Sequence, residues 1–472
     1  MNDLKKIFKG TLIYLVGTVL AKLVQFFLLP LYTKYLTPIE FGNYDLELAY
    51  GTFIWTIVYL DIFGGILRFM FDFKEDEKNR PVINGFIIFL GSTVIYGISI
   101  IVLKLAFGRE LLSYPYLLFL VGSLTILQQV IGYIARGYGK DQIFVVGGIL
   151  GTFATFVSTY PLLAIADVSY AGIYITTIIG MLVNILYVMI RIRLWEKINL
   201  SLFDFSLFTD MLKYSLPFSL NSVSYWFLTG FNRVIIANVL TVYDNGLYAV
   251  VTKFGAVITL FTQAFQMAWQ ELSFSKTHLS RKEMSKFYST AINNFISFLL
   301  MGAALSLPFL SIVFKYLINE QYSEAYFLIP LALLSAVFTA YSSFMASIIS
   351  TLKKTQQIFT TTIIGSIVNI LVVLLLIKII GVSAAMIAVS SGFFVIFLRR
   401  VQLVNKDIDI SIKWNKFFKV VVLFMLVSLL YCMNIFLVNV FSILLVLTCF
   451  LLMYKDMIKV IIDKLFYRRS NK

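Results

Sequence analysis

The sequence predicts an all-α integral membrane protein of about fourteen transmembrane helices, built as two six-helix lobes related by a parallel repeat plus two C-terminal helices. Three observations carry this reading. Hydrophobic residues make up 60% of the chain and charged residues 13%, with a mean hydropathy of +0.89, which is more apolar surface than a soluble core can hide. Apolar segments long enough to cross a bilayer follow one another from end to end. And the stretch Leu36-Thr37-Pro38-Ile39-Glu40-Phe41-Gly42-Asn43-Tyr44 returns 204 residues later as Leu240-Thr241-Val242-Tyr243-Asp244-Asn245-Gly246-Leu247-Tyr248, with Leu, Thr, an acid, Gly and Tyr in register.

In chain order the segments lie near 10–35, 43–67, 83–107, 113–135, 143–165, 168–190, 213–240, 246–270, 287–314, 325–351, 358–380, 382–398, 417–437 and 439–458. The first is too long and too polar in its middle for a cleaved signal peptide. The last two are compatible with two crossings or with one re-entrant hairpin. Prolines fall within spans at Pro30, Pro161, Pro217, Pro308 and Pro330, where bends are expected.

Each copy of the repeated stretch reads as a tight helix-helix hairpin in which Gly supplies the turn. A second echo supports the duplication. Gln142-Ile143-Phe144 reappears as Gln357-Ile358-Phe359, and Val168-Ser169-Tyr170-Ala171 as Val382-Ser383-Ala384-Ala385, at offsets of 215 and 214. The chain divides accordingly into an N-terminal lobe (1–194), a cytoplasmic linker (195–212), a C-terminal lobe (213–404), and two further helices with a basic tail (405–472).

Basic residues accumulate in cytoplasmic loops. With the N-terminus inside, alternate loops on that side hold 31 of the 39 Lys and Arg, and the opposite loops hold five: Lys34, Lys104, Arg109, Lys315 and Lys378. Both termini are therefore expected in the cytoplasm. The net charge of +15 is spread over eight separate segments, which argues against nucleic-acid binding. Outer loops are too short for an extracytoplasmic catalytic domain. Cys432 and Cys449 have no metal spacing and read as small core residues, and the single His278 lies in a basic loop. No phosphate-binding glycine loop, zinc motif or nucleophile elbow occurs, so neither enzyme activity, metal nor cofactor is expected.

Three cations remain inside spans: Lys22, Arg233 and Lys253. Thr11, Thr18, Lys22 and Gln25 share one helical face of the first span. Ser215, Ser219, Ser222, Trp226, Thr229 and Arg233 share one face of the seventh. The 204-residue offset superposes Thr11 on Ser215, Thr18 on Ser222 and Gln25 on Thr229. Such faces serve close helix packing or line water; Val24 and Leu228 fall on the lipid side. Each cation in hydrocarbon costs on the order of 3 kcal/mol unpartnered. Arg233 and Lys253 lie roughly 10 Å below the outer surface and have the alternative of snorkelling; Lys22 is roughly 21 Å deep. Their repeat counterparts are Leu29, Ala49 and Trp226, so the scaffold is duplicated and the charges are not. That pattern points to an inter-lobe cavity for an anionic group, walled by Thr18, Gln25, Ser222, Thr229 and Asn232. Asp61 and Glu47 on the second span are candidates for coupling to a cation or proton, or equally for structural pairing with Lys22 or Arg68.

With these residues in place, the sequence resembles Wzx-type polysaccharide flippases of the multidrug/oligosaccharidyl-lipid/polysaccharide exporter superfamily. The resemblance rests on Leu29-Pro30-Leu31-Tyr32-Thr33-Lys34-Tyr35-Leu36 running into Gly42 and Tyr44, and on Asn232-Arg233 running into Gly246-Leu247-Tyr248 and Lys253. It implies translocation of undecaprenyl-diphosphate-linked oligosaccharide from the inner to the outer leaflet of a bacterial cytoplasmic membrane by alternating access. It also implies membrane lipids, glycosyltransferases and a glycan polymerase as partners. Arg233 and Lys253 match family positions, Lys22 lies near a cation of the related lipid II flippases, and Asn232 stands where relatives have Asp. The competing readings are a cation-coupled drug or metabolite antiporter of the same superfamily and a membrane-embedded glycan polymerase or ligase.

Overall fold

The computed structural model describes residues 24, 26–75, 77–275 and 280–470, and every regular element among them is a helix. In lipid this is what backbone hydrogen bonding demands of long apolar runs. The first lobe comprises α1 (26–35), α2 (Pro38–Val58), α3 (Ile62–Met70), α4 (Asn79–Leu111), α5 (Pro115–Gly137), α6 (Asp141–Tyr160) and α7 (Ala171–Ile192). The second comprises α8 (Phe205–Thr229), α9 (Phe231–Val239), α10 (Val242–Ser275), α11 (Arg281–Leu317), α12 (Ile329–Thr351), α13 (Gln356–Ile380) and α14 (Ser383–Val404). The chain ends in α15 (Trp414–Cys432) and α16 (Phe436–Ser470), both packed on α11.

Eleven of the described helices are long and apolar enough to cross a membrane, and the pair α2–α3, bent by 40°, makes a twelfth if it is one span. Of the fourteen expected spans, 10–35 lies largely outside the described residues. The span at 213–240 is filled by α8 and α9, which break at Gly230 and are not among the eleven. The segments near 417 and 439 are separate helices, each long enough to span alone. The expected linker at 195–212 is shorter in the structure: the Asp204 carboxylate accepts from the Ser206 and Leu207 amides at 2.9 and 3.3 Å and starts α8 at Phe205. Pro330, expected inside a span, occupies the first turn of α12, where its missing N–H breaks no helical bond.

The repeated stretch performs the same task twice, but not the task expected of its glycine. Thr37 N-caps α2 and exchanges hydrogen bonds with Glu40: the Glu40 amide donates to Thr37 Oγ1 at 3.2 Å and the Thr37 amide to the Glu40 carboxylate at 2.9 Å. At the start of α10 the Asp244 amide donates to Thr241 Oγ1 at 3.1 Å and the Thr241 hydroxyl pairs with the Asp244 carboxylate at 2.6 Å. Each cap contributes about 1 kcal/mol. Gly42 and Gly246 then lie one turn inside their helices, not in a turn, and neither has positive φ. They let α2 and α10 cross in contact. A methyl group at Gly42 would overlap the carbonyl of Val242, and one at Gly246 the carbonyl of Pro38. These two contacts exchange under the 204-residue offset, as a twofold relation between the lobes requires.

The second echo has the same structural content. Its residues open α6 and α13, and α7 and α14. Within each pair the helices touch through glycines: Gly151 against the Gly180 carbonyl, and Gly365 against the Gly392 carbonyl. The crossing of α2 and α10 shuts the lobes together at the end that the charge distribution assigns to the outer face. There Asn245 Nδ2 donates to the Gly42 carbonyl at 2.8 Å and Tyr322 Oη to the Leu36 carbonyl at 3.0 Å.

Candidate substrate cavity between the lobes

Below this crossing lies a cavity of about 440 Å³. One wall is α2, through Asp45, Leu48, Ala49, Thr52 and Thr56, spaced to share a helical face. The facing wall is the expected stripe of the seventh span, joined by Lys253 of α10. The stripe has two functions along its length. Toward one end it is packing: Ser215 fits over Gly65, and Ser219 Oγ donates to the Thr56 carbonyl at 2.8 Å. Toward the other, Ser222, Trp226, Thr229 and Arg233 line the cavity, with Trp226 Nε1 donating to the Ala49 carbonyl at 3.0 Å.

Arg233 is held on three sides. Its Nε donates to Asp45 at 2.6 Å and its Nη1 to the Thr229 carbonyl at 2.7 Å, and its guanidinium lies over the Tyr248 ring at 5.5 Å. The ion pair joins the two lobes and is sheltered, with side-chain exposures of 22% and 9%. Lys253 differs: it is exposed to the cavity, and among the described residues no carboxylate lies within 4 Å of its ammonium. Among the described residues the charged wall therefore holds Asp45, Arg233 and Lys253, one acid against two bases. A wall with that balance attracts an anion and repels an organic cation. Cavities of this size hold a head group rather than an entire oligosaccharide.

The other expected site residues divide clearly. Ser222 and Thr229 are in the cavity wall, and Ser222 Oγ donates to the Asp61 carboxylate at 2.6 Å across the lobes. Asn232 is turned away: fully buried, it exchanges amide hydrogen bonds of 3.2 and 3.3 Å with Asn369 of α13, because the face it occupies belongs to the lobe interior. Leu228, assigned to lipid, is likewise buried, against Val389, Phe393 and Ile396. Glu47 faces the interior of its own lobe, accepting from the Ser113 amide at 2.8 Å and from Tyr170 and Tyr174 at 3.0 Å each. These bonds tie Glu47 of α2 to Ser113 ahead of α5 and to Tyr170 and Tyr174 at the start of α7. Asp61 precedes α3 in the left-handed region, φ 51°, at the bend of the second span. Arg68, a possible partner for it, pairs with Asp72 at 2.5 Å. Lys22, Thr11, Thr18, Val24's neighbour Gln25 and His278 lie outside the described residues. Cys432, expected in a core, is exposed at the end of α15. No cluster of potential metal ligands occurs among the described residues.

The acid that meets the cations, Asp45, was not singled out from the sequence. Its signal was there: Asp45, Ala49, Thr52 and Thr56 form the same kind of stripe on the second span that identified the seventh.

Comparison with known proteins agrees with this architecture. A family profile described as "Polysaccharide biosynthesis protein" matches residues 7–269, more than half of the chain. No curated protein sequence matches significantly. Among solved structures, the lipid II flippase MurJ in an inward closed conformation superposes with a TM-score of 0.71 at 18% identity, covering 95% of this chain and 100% of that one. An inward-facing multidrug resistance MATE family transporter of the MOP superfamily gives 0.65 at 14% identity, covering 84% and 98%. An outward-facing transporter of that family gives 0.53 at 14%, covering 85% and 95%. At these identities the likeness is one of fold, and it is the fold of MOP superfamily transporters.

Proposed function

The chain belongs to the polysaccharide biosynthesis protein family, and from that premise we propose that it flips an undecaprenyl-diphosphate-linked oligosaccharide from the inner to the outer leaflet by alternating access. The observation that carries this reading is Lys253, whose ammonium has no carboxylate within 4 Å among the described residues, in a cavity between two lobes, one side of which also holds Arg233. A diphosphate is the anion that suits this wall. It satisfies Lys253 directly and competes with Asp45 for Arg233, as charge-assisted contacts to phosphate oxygens compete with those to carboxylate. Displacing Asp45 removes a tie between the lobes, so binding and separation of the α2–α10 crossing are linked in the sense that alternating access needs. On the sequence reading Lys22 supplies a third cation deeper in the membrane.

The net positive wall speaks against an antiporter for organic cations, since Asp45, the one lining acid among the described residues, is already paired. A polymerase or ligase finds no acid and base poised at an open site among the described residues. Orientation with both termini in the cytoplasm follows from the basic loops and belongs to the same proposal. The test is removal of the protein from its host. Lipid-linked repeat units should then accumulate on the cytoplasmic leaflet while surface glycan disappears, and both should revert on complementation. Unchanged surface glycan without accumulation would overturn the reading.

A further inference from the structure

The two C-terminal helices lie outside the repeat and outside the residues matched by the family profile, and at the end that the charge distribution assigns to the cytoplasm they border a second cavity, about 830 Å³, separate from the one between the lobes. Ser411, Lys413, Trp414, Lys416, Lys419 and Met453 are in its wall. Lys413 precedes α15 as its N-cap, and Lys416 and Lys419 follow within its first two turns, one three-residue step of about 4.5 Å apart, so that all three border the one cavity. Among the described side chains no carboxylate lies within 4 Å of any of them, whereas Lys354 and Arg281 of nearby segments are paired with Asp407 and Asp409. Three cations lining one cavity repel one another, and an anion seated there relieves that repulsion.

The pocket is held in shape. The Lys413 amide donates to Asn293 Oδ1 at 2.7 Å, Asn293 Nδ2 donates to the Ser411 carbonyl at 2.7 Å, and the Ser411 amide donates to Ser289 Oγ at 2.9 Å, lacing the segment to α11. Lys416 lies over the Tyr454 ring at 4.7 Å, which fixes it toward α16. Beyond the lysines, the same helix presents Phe418, Val422, Met425 and Leu429, each more than half exposed and spaced to form one stripe. Trp414 stands at the junction, where an indole prefers the membrane interface.

We propose that this cavity binds the phosphate head group of an anionic membrane phospholipid, its acyl chain lying along the Phe418–Leu429 stripe. The stripe meets the cavity through Trp414, whose ring lies against Phe418, and that junction is what selects a lipid over a soluble phosphate. Lysine point charges suit a phosphate diester without bidentate geometry. The appended helices thereby anchor the second lobe to the cytoplasmic leaflet, independently of which glycan is moved.

The experiment titrates the purified full-length protein in neutral detergent with phosphatidylglycerol, with phosphatidylcholine of the same chains, and with inorganic phosphate, reading bound lipid by native mass spectrometry. Wild type should bind phosphatidylglycerol preferentially, and inorganic phosphate should not displace it. The triple variant Lys413→Gln, Lys416→Gln, Lys419→Gln should weaken that binding about tenfold. The corresponding Lys→Arg triple should retain it. A control triple, Arg191→Gln, Lys213→Gln, Lys406→Gln, removes equal charge from the same membrane face and should change it less than about twofold. Should the Gln triple fail to fold, the exposed single variant Lys419→Gln carries the test, with about a twofold loss expected. Equal binding of phosphatidylcholine, equal weakening by the control triple, or displacement by inorganic phosphate would each overturn the proposal.

Discussion

Gly42 and Gly246 occupy the same place in the two lobes, as do Thr37 and Thr241, yet Asp45 stands where the second lobe has Ala249, and Lys253 where the first has Ala49. The second span breaks at Leu60 and Asp61, while its counterpart α10 runs unbroken from Val242 to Ser275. Close backbone contact at a twofold crossing constrains both partners equally, so the small residues are kept in pairs. A bound ligand has one head group and lies on one side of that axis, so its charges need no pairing. The lobes teach that the backbone crossing is duplicated while the charges of the cavity wall are not.

The largest expected effects come from the symmetric contacts. Gly42→Leu and Gly246→Leu each drive a side chain into the facing backbone, and overpacking of this kind costs about 1–3 kcal/mol or more. Both should abolish glycan export at the outer-closed step, and to the same degree, while Gly302→Leu, which meets no neighbouring atom within 4 Å, should be tolerated. Unequal losses at Gly42 and Gly246, measured per unit of folded protein, would break the comparison.

Next come the asymmetric charges. Lys253→Gln should reduce export at least about tenfold at matched abundance, with Lys253→Arg retaining more. Asp45→Asn should act first on stability, lowering it by about 2 kcal/mol because Arg233 is left sheltered without its carboxylate. A double-mutant cycle of Asp45→Asn with Arg233→Gln, read by thermal unfolding, should return a coupling of similar size; additive effects would show that the pair is not a tie between lobes. The smallest effect is expected at Ser222→Ala, which removes the donor to Asp61 at a cost of about 1 kcal/mol and leaves the cavity charges untouched.

Much of the fold was legible because lipid leaves few alternatives: apolar runs of span length had to be helices, and the repeated letters located the helix starts of both lobes. The hairpin glycine was misread because a glycine next to a cap looks the same in sequence whether it bends the chain or admits a neighbour, and only the facing carbonyls of Val242 and Pro38 decide. The pairs Gly151 with Gly180 and Gly365 with Gly392 went unnoticed for the same reason. In the site, period-3.6 spacing found the face carrying Ser222, Thr229 and Arg233, since every residue of that stripe meets one neighbour. Asn232 was misplaced by one position on the wheel, which turns a side chain from cavity to interior. Partner choice was the least legible: nothing local in the sequence tells that Arg233 takes Asp45, 188 residues away, in preference to Asp61 or Glu47.

The central claim, that the inter-lobe cavity receives a lipid-linked diphosphate through its unduplicated cations, is tested most directly by binding of undecaprenyl diphosphate to the purified protein, followed by native mass spectrometry with undecaprenol as competitor. The account predicts saturable binding that undecaprenol does not displace and that Lys253→Gln weakens at least about tenfold, while Lys378→Gln, in the last turn of α13 and outside the cavity wall, leaves it unchanged. Wild-type affinity in Lys253→Gln, or displacement by undecaprenol as effective as by undecaprenyl diphosphate itself, would contradict it.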